Sequence, residues 1–481
     1  MPARRPRLVS VASEELEQAF AELRRTLSLP GDYPAAAVAE AEHAARTVPV
    51  DPAASGLADL RDIEFLTIDP EGSTDLDQAL HLERSPDGGA VLHYAIADIP
   101  AFVEPDGELD AETRRRGQTL YAADGSIPLH PHVLGQDAAS LLPGLDRRAY
   151  VWRFALDDGA RPLATTLTRA VIRSRRQWSY AEAQAAFDDG SAPPSITELS
   201  WFGHARRERE SERGGASLNI PEVEIEVEDG GYRLRHRAIR PIEAWNAQVS
   251  LLTGMAAARI MLDGGVGILR TMPAADADDI AAFRAKTIAI GIPWRFDVPY
   301  GDYLGSLPGA DAGALAIKDA AGALFRGAGY VAFDGEPPAD PVQAAVGAPY
   351  AHTTAPIRRL IDRWSLVICE ALANGREVPA WARESLPQLP KLMGRAIERA
   401  NRLENESVDR VEAAVLKGHE GEIFRGTVLR EHGDGARVQL SRPPSAITVP
   451  GLEAPPGTAV RVRLTSADVG AGEVAFAPVG T

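Results

Sequence analysis

The final stretch of the chain constrains its fold most. Five short runs rich in strand-forming residues (424–430, 436–440, 445–449, 459–465 and 473–476) are separated by turn residues. Five such strands in about 60 residues fit a small closed barrel. This tail carries six arginines against six acids, whereas the whole 481-residue chain has a net charge of −17, from 51 basic and 68 acidic residues. The tail is therefore basic relative to the rest.

The beginning of the chain reads differently. Residues 12–27 space Leu16, Phe20, Leu23 and Leu27 as one face of a helix, with Ser13 as the expected N-cap. Residues 34–47 form a second, Ala-rich helix candidate. A small helical module is expected over 1–58, with a helix-turn-helix among its readings. From residue 59 the pattern changes again. Segments 63–68, 91–97 and 150–156 read as strands; 179–188, 242–262, 276–290 and 386–418 read as helices, and another helix is expected to start at Thr353. Residues 300–347, rich in Gly, Ala and Pro, give no clear pattern. Segregated strands and helices point to an α+β fold with three parts: 1–58, 59–420 and 421–481.

Composition excludes several classes. The single cysteine, Cys369, rules out a disulfide framework and a cysteine-type zinc site. No stretch approaches the ~20 apolar residues of a membrane span. Residues 1–10 carry arginines with no apolar run behind them, so a cytoplasmic protein is expected. The net negative charge argues against non-specific coating of nucleic acid but leaves room for a local basic channel.

Two segments carry chemistry. In 67–78 (TIDPEGSTDLDQ), a strand delivers Asp69 and a polar loop delivers Asp75 and Asp77. Carboxylates held close together repel one another, and a divalent cation such as Mg²⁺, which prefers oxygen ligands and touches phosphate, would relieve that repulsion. On spacing alone, an Asp-rich surface turn is the better reading. In 350–359 (YAHTTAPIRR), Thr353 or Thr354 would cap a helix with Pro356 in its first turn, placing Arg358 where amide groups already favour an anion. A solvated pair, Arg358 and Arg359, is the plainer alternative.

Taken together, these segments and 93–131 (HYAIADIPAFVEPDGELDAETRRRGQTLYAADGSIPLHP) resemble, in order and spacing, three blocks of the ribonuclease II/R family. The resemblance covers about 60–420, followed by a tail like an S1 domain. It implies a mixed α/β RNB-type catalytic domain and a C-terminal OB-fold barrel. It also implies a Mg²⁺-dependent, hydrolytic 3′-to-5′ exoribonuclease that threads single-stranded RNA and releases nucleoside 5′-monophosphates. By position, Asp69, Asp75 and Asp77 match metal-binding carboxylates, with Asp75 and Asp77 also catalytic. Arg358 matches the catalytic arginine, Tyr121 matches the aromatic that stacks on the 3′-terminal base, and Arg359 and Gln78 fall among the substrate-binding positions.

The chain departs from the family in several places. The fourth carboxylate falls on Gln78, which implies a weaker hold on a second metal. An aromatic expected between two glycines falls on Val266, a histidine falls on Leu366 while Asp362 is kept, and a late glutamate falls on Asn405, between Glu404 and Glu406. Family members carry OB-type cold-shock domains ahead of the catalytic block. With 1–58 in their place, a more open entrance is expected, admitting structured RNA with a 3′ overhang.

Arg173, Arg175 and Arg176 read equally as an RNA path and as a solvated face; Arg206 and Arg207 lie among glutamates and read as solvated. Asp98 reads as structural or supporting. His93, His130, His132 and His352 fit no standard zinc spacing and read as structural. The expected protein is monomeric and has no membrane partner. Two alternatives are an RNA-binding relative that has lost catalysis, favoured by Gln78 and Val266, and a carboxylate-metal phosphatase, for which the C-terminal barrel has no role.

Overall fold

The computed structural model describes residues 10–86, 88–122, 124–216, 222–228, 231–237, 239–307 and 311–479. Of the stretch 1–10 read for a leader, only Ser10 lies among them.

Six strands form the central sheet: the two-residue edge strand Ala58–Asp59 and β1 (Phe65–Asp69), β2 (Gln78–Arg84), β3 (Ala90–Ala97), β4 (Asp146–Leu156) and β5 (Pro162–Ser179). β1 to β4 run in order through antiparallel pairings. The 18-residue β5 serves two long partners and the edge strand Ala58–Asp59, which pairs parallel at Ala170 and Val171. It lies antiparallel to β4 from Pro162 to Arg173, then parallel to β1, where Asp69 sits opposite Ser179. The sheet therefore closes on itself through one long strand.

Both faces of this sheet are covered. Leu66, Ile68, Leu80, Leu92, Tyr94 and Trp152 belong to the large core on one side, while Phe65, Ala79, Ala95, Ala97 and Ala149 belong to a smaller, Ala-rich core on the other. Every residue of β1 is buried, which explains why its Phe-Leu-Thr-Ile sequence shows no alternation of apolar and charged residues.

Helices supply the covering layers. The segments that matter for the site are α1 (Ser10–Thr26), α2 (Ala35–Thr47), α3 (Glu108–Arg116), α4 (Tyr180–Asp189), α5 (Pro194–Glu212), α6 (Pro241–Gly264), α7 (Leu360–Ala373) and α8 (Leu389–Leu416). α5 crosses α6 so closely that a Cβ on Gly203 would lie 2.2 Å from the Trp245 ring. α1 begins at Ser10, so Ser13 lies inside the helix rather than capping it.

The two N-terminal helices share no core among the described residues. Leu16, Ala19 and Phe20 of α1 pack with Val411, Val415 and Val469, whereas Ala37 and Ala41 of α2 join the Ala-rich core of the sheet. In the stretch without a clear pattern, two short helices (Tyr300–Ser306 and Ala312–Ala321) build a local core with Phe283, and a strand (Gly329–Asp334) pairs with Val266–Thr271.

The tail forms the expected five strands: Ile423–His432, Gly435–Leu440, Ala446–Pro450, Ala459–Asp468 and Glu473–Pro478. All pairings are antiparallel, with Ile423–His432 at the centre of the sheet. Inward residues such as Val428, Val438, Ile447, Val462 and Phe476 fill a single core, which Leu416 at the end of α8 also enters.

Candidate active site

The Asp block is placed by two adjacent strands. β1 ends on Asp69 and β2 starts on Gln78; the loop between them carries Asp75 and Asp77. This loop is fixed by Ser140, whose Oγ accepts from Leu76 N at 2.9 Å and donates to Thr74 O at 2.7 Å.

Asp77 is only 1% exposed. Its Oδ1 accepts the Ile357 amide at 2.7 Å, and Arg358 Nε lies 3.0 Å from Oδ2. That ion pair is poorly aligned as a hydrogen bond, so Oδ2 remains without a donor. Asp69 Oδ2 is likewise buried without a donor. Burial pushes the Asp69 carboxyl up to about 6; Arg358 opposes this and Asp75 reinforces it. Burial pushes Asp77 up to about 8 against the pull of Arg358 and the Ile357 amide, with Asp362 and Asp75 adding repulsion.

The arginine segment is not a helix start. Residues 353–359 form a turn, and α7 begins at Leu360 with Arg359 as its N-cap. Tertiary hydrogen bonds override the local helical pattern here. Thr119 N donates to Arg358 O at 2.9 Å, Leu360 N donates to Gly117 O at 3.0 Å, and His130 Nδ1 donates to Ile357 O at 2.8 Å. Asp362, fully buried, accepts from Ala355 N at 2.8 Å and from Arg359 Nη2 at 2.7 Å. Arg359 is thus tied down within the turn. The Arg358 side chain is 42% exposed and turns to solvent. Burial works against its charge, but Asp77 and Tyr121 hold its pKa above the ordinary value.

Arg358 lines a cleft of about 520 Å³ together with Gln78, Tyr121, Tyr180, Tyr350 and Glu404, among others. Tyr121, on the short strand Leu120–Ala122, is 55% exposed. A smaller cavity of about 160 Å³ lies against Asp75 and shares Thr119 and Tyr121 with the cleft. Gln78 lines the cleft, but its Nε2 donates to Thr354 O, which binds the Asp block to the arginine turn.

Several cleft residues escape sequence reasoning. Tyr180 arrives because β5 runs parallel to β1, which brings Ser179 opposite Asp69; only the topology reveals this. Glu243, Asn246 and Ser250 come from successive turns of α6. Tyr350 lies within the quoted segment, and a Cβ on Gly254 of α6 would collide with its ring at 2.2 Å. The late-helix carboxylate facing the cleft is Glu404, a register correction of one residue from Asn405. Val266 is buried in the core and lies outside the cleft lining, and Leu366 is likewise core.

Other candidates are occupied elsewhere. Asp98, fully buried, pairs with Arg148 at 3.2 Å and Arg169 at 2.7 Å. Arg173 pairs with Asp146 at 2.7 Å, Arg175 donates to Arg61 O at 2.7 Å, and Arg176 stacks on Trp178. Arg206 is buried rather than solvated, and its Nη1 donates to Ala160 O at 3.2 Å. His352 shares a 2.7 Å hydrogen bond with Tyr330, and His93 faces His81; neither His93 nor His352 lines the cleft.

The donor chemistry suits a divalent cation. Two buried carboxylate oxygens lack donors, and the cost of keeping them charged falls when a cation is near. Among the described residues, however, no three carboxylate, imidazole or thiol side chains converge closely enough to form a cage by themselves.

Residues 57–372 match the RNB domain. The chain belongs to the RNB family. Residues 422–479 match the C-terminal S1 domain of RNase II-type exonucleases. Nucleases of the RNB family generally depend on a divalent metal. The chain is 34% identical over 175 residues to the exosome complex exonuclease dis3 of Schizosaccharomyces pombe, covering 36% of this chain and 18% of that one. It is 26% identical over 454 residues to ribonuclease R of Escherichia coli, covering 86% and 54%. The chain thus spans between about a fifth and about half of the length of these curated relatives.

Among solved structures, RNase R of Mycoplasma genitalium in complex with ribose-methylated single-stranded RNA superposes with a TM-score of 0.85 at 16% identity, covering 96% of this chain and 78% of that one. Yeast Ssd1, a pseudonuclease, superposes with a TM-score of 0.66 at 16% identity, covering 84% and 52%. Among the described residues, no helix of this RNB protein is long and apolar enough to cross a membrane.

Proposed function

We propose that this chain is a Mg²⁺-dependent exoribonuclease that hydrolyses RNA from its 3′ end to nucleoside 5′-monophosphates. One observation carries the reading: Asp77 is paired with Arg358 and capped by the Ile357 amide, across 280 residues of sequence, beside a cleft lined by Tyr121.

Asp69, Asp75 and Asp77 would hold the cation, which when bound supplies charge neutralisation at phosphate and a more acidic water. Arg358 offers a guanidinium fork to the phosphate oxygens at the cleft wall, where charge grows during cleavage. Arg359, held by Asp362, fixes the turn that aims Arg358 and borders the same cleft. Tyr121 presents an aromatic face that any base can stack upon, which suits an enzyme without sequence preference. Gln78 ties the two catalytic segments together and brings no charge. The S1 barrel grips RNA further from the cut, and the entrance admits a structured stem with a 3′ overhang. The protein acts as a cytoplasmic monomer.

A second reading, an RNB protein that binds RNA without cutting it, draws on the neutral Gln78 and on the likeness to Ssd1. Labelled single-stranded RNA incubated with the protein and Mg²⁺, then with EDTA, separates the two. Mononucleotides released only with metal support the nuclease; retention of intact RNA supports the binder. A hairpin with a short 3′ overhang, degraded no further than the stem, would remove the open-entrance proposal.

A further inference from the structure

Tyr121 sits on a hairpin that cannot hold itself in place. Leu120–Ala122 and Gly125–Ile127 are three-residue strands paired only with each other, and an isolated ribbon of this size is marginal in water. Part of its support comes from residues that precede the region matched by the RNB family, and part from α8, which follows it. Along a strand, side chains alternate, so Leu120 and Ala122 point away from the side on which Tyr121 projects. Leu120 meets Leu23 of α1 and Leu403 of α8 in one cluster, with Leu27, Leu29, Ala122, Ile127 and Ala400 around it. Leu23 and Leu120 are each only 1% exposed.

Two further contacts hold the hairpin at its tip and base. Arg24 reaches Asp124 in the turn with both guanidinium nitrogens, at 2.5 and 2.6 Å. Tyr33 Oη donates to Pro128 O at 2.6 Å, just after the return strand. The Arg116 guanidinium stacks 3.7 Å over the Tyr33 ring and donates to Gly31 O at 2.7 Å, which locks that segment to the end of α3. The α1 helix also packs on Val411 and Val415 of α8, the helix that presents Glu404 to the cleft.

We infer that the segment from Glu14 to Tyr33 is a positioning element for substrate binding: it holds the Tyr121 hairpin against the cleft, with Arg24 and Leu23 as the residues that set the ring's place. The inference rests on the exoribonuclease reading. Arg24 and Leu23 are positioning residues and touch no reacting atom.

The test uses the full chain and short RNA oligomers carrying 2-aminopurine at the 3′ end, so that stacking on Tyr121 is read as fluorescence quenching in EDTA, without turnover. Arg24→Ala and Leu23→Ala are expected to weaken the quenching and to raise KM by roughly three- to tenfold, the range that a partly buried bidentate pair supports, with kcat within about twofold of wild type. Tyr121→Ala abolishes the quenching, and adding Arg24→Ala to it changes nothing further, because both act on one contact. Arg24→Glu repeats the defect, and Asp124→Arg added to it restores KM. Arg46→Ala, which breaks an exposed pair with Glu42 on α2 outside that segment, leaves both readouts unchanged.

Wild-type quenching and KM in both Arg24→Ala and Leu23→Ala, or additivity with Tyr121→Ala, would overturn the inference. A wild-type chain that fails to hydrolyse RNA removes the exoribonuclease reading itself and this inference with it.

Discussion

Asp77 makes a prediction that does not depend on turnover. Its carboxyl is raised from 3.8 to about 8 by burial. The native state therefore binds a proton that the unfolded state has already released. Stability should be greatest below the unfolded pKa and should fall as pH rises through the folded one, so the window lies between about pH 4 and 8. Asp69, raised to about 6, adds to the same slope at its acidic end. With each pH unit worth about 1.4 kcal/mol for one proton, the metal-free protein loses about 3 kcal/mol through Asp77 between pH 5.5 and 8. In a domain of about 300 residues this lowers Tm by roughly 3–6 °C.

The assay is thermal unfolding of EDTA-treated wild type and Asp77→Asn across that range. Asparagine keeps the Oδ1 acceptor for the Ile357 amide and removes the titration, so its curve should be flatter by that amount. Mg²⁺ added at pH 8 should restore the wild type far more than the variant. Parallel curves for the two proteins, or a wild type that gains stability toward pH 8, would refute the reasoning.

Three further outcomes follow from the geometry. Arg358→Lys loses the fork and should lower kcat by about a hundredfold or more in single-turnover cleavage, with Tm nearly unchanged because the side chain is part exposed. Tyr121→Phe should keep KM for short RNA near wild type, whereas Tyr121→Ala raises it roughly tenfold, consistent with a stacking contact of about 1–3 kcal/mol. Gly117 has φ +76°, and an added Cβ would lie 2.5 Å from the Ala396 Cβ. Gly117→Ala should therefore cost roughly 2–4 kcal/mol in denaturant unfolding, and, through the Gly117 carbonyl that holds Leu360 N, it should also reduce activity.

Much of the molecule is legible in its residues where local pattern and tertiary context agree. The five barrel strands, the two N-terminal helices and β1, β3 and β4 fall within a few residues of expectation, because alternation and helical spacing there reflect one buried face. β2 and β5 are missed, since Ala, Arg and Thr in them hide the pattern that closure of the sheet imposes. α5, with eight charged residues or histidines along Glu198–Glu212, masks its buried face in the same way. The helix expected from Thr353 fails for a different reason. Its amides are claimed by Asp77 and Asp362, and its carbonyls by Thr119 and His130. The site residues themselves are visible as motifs, but Tyr180, Glu243 and Glu404 become neighbours only through topology.

The separation of the site's parts along the chain also sets a timetable for synthesis. The loop bearing Asp77 leaves the ribosome early, but the amide that caps it and the guanidinium that pairs with it follow 280 and 281 residues later. β1 gains its parallel neighbour sooner, once Ser179 has emerged and can lie beside Asp69. A nascent chain therefore carries the acidic loop through 280 further residues before the amide that caps Asp77 is made. On the exoribonuclease reading, a chain cut short before residue 358 lacks the guanidinium that cleavage requires.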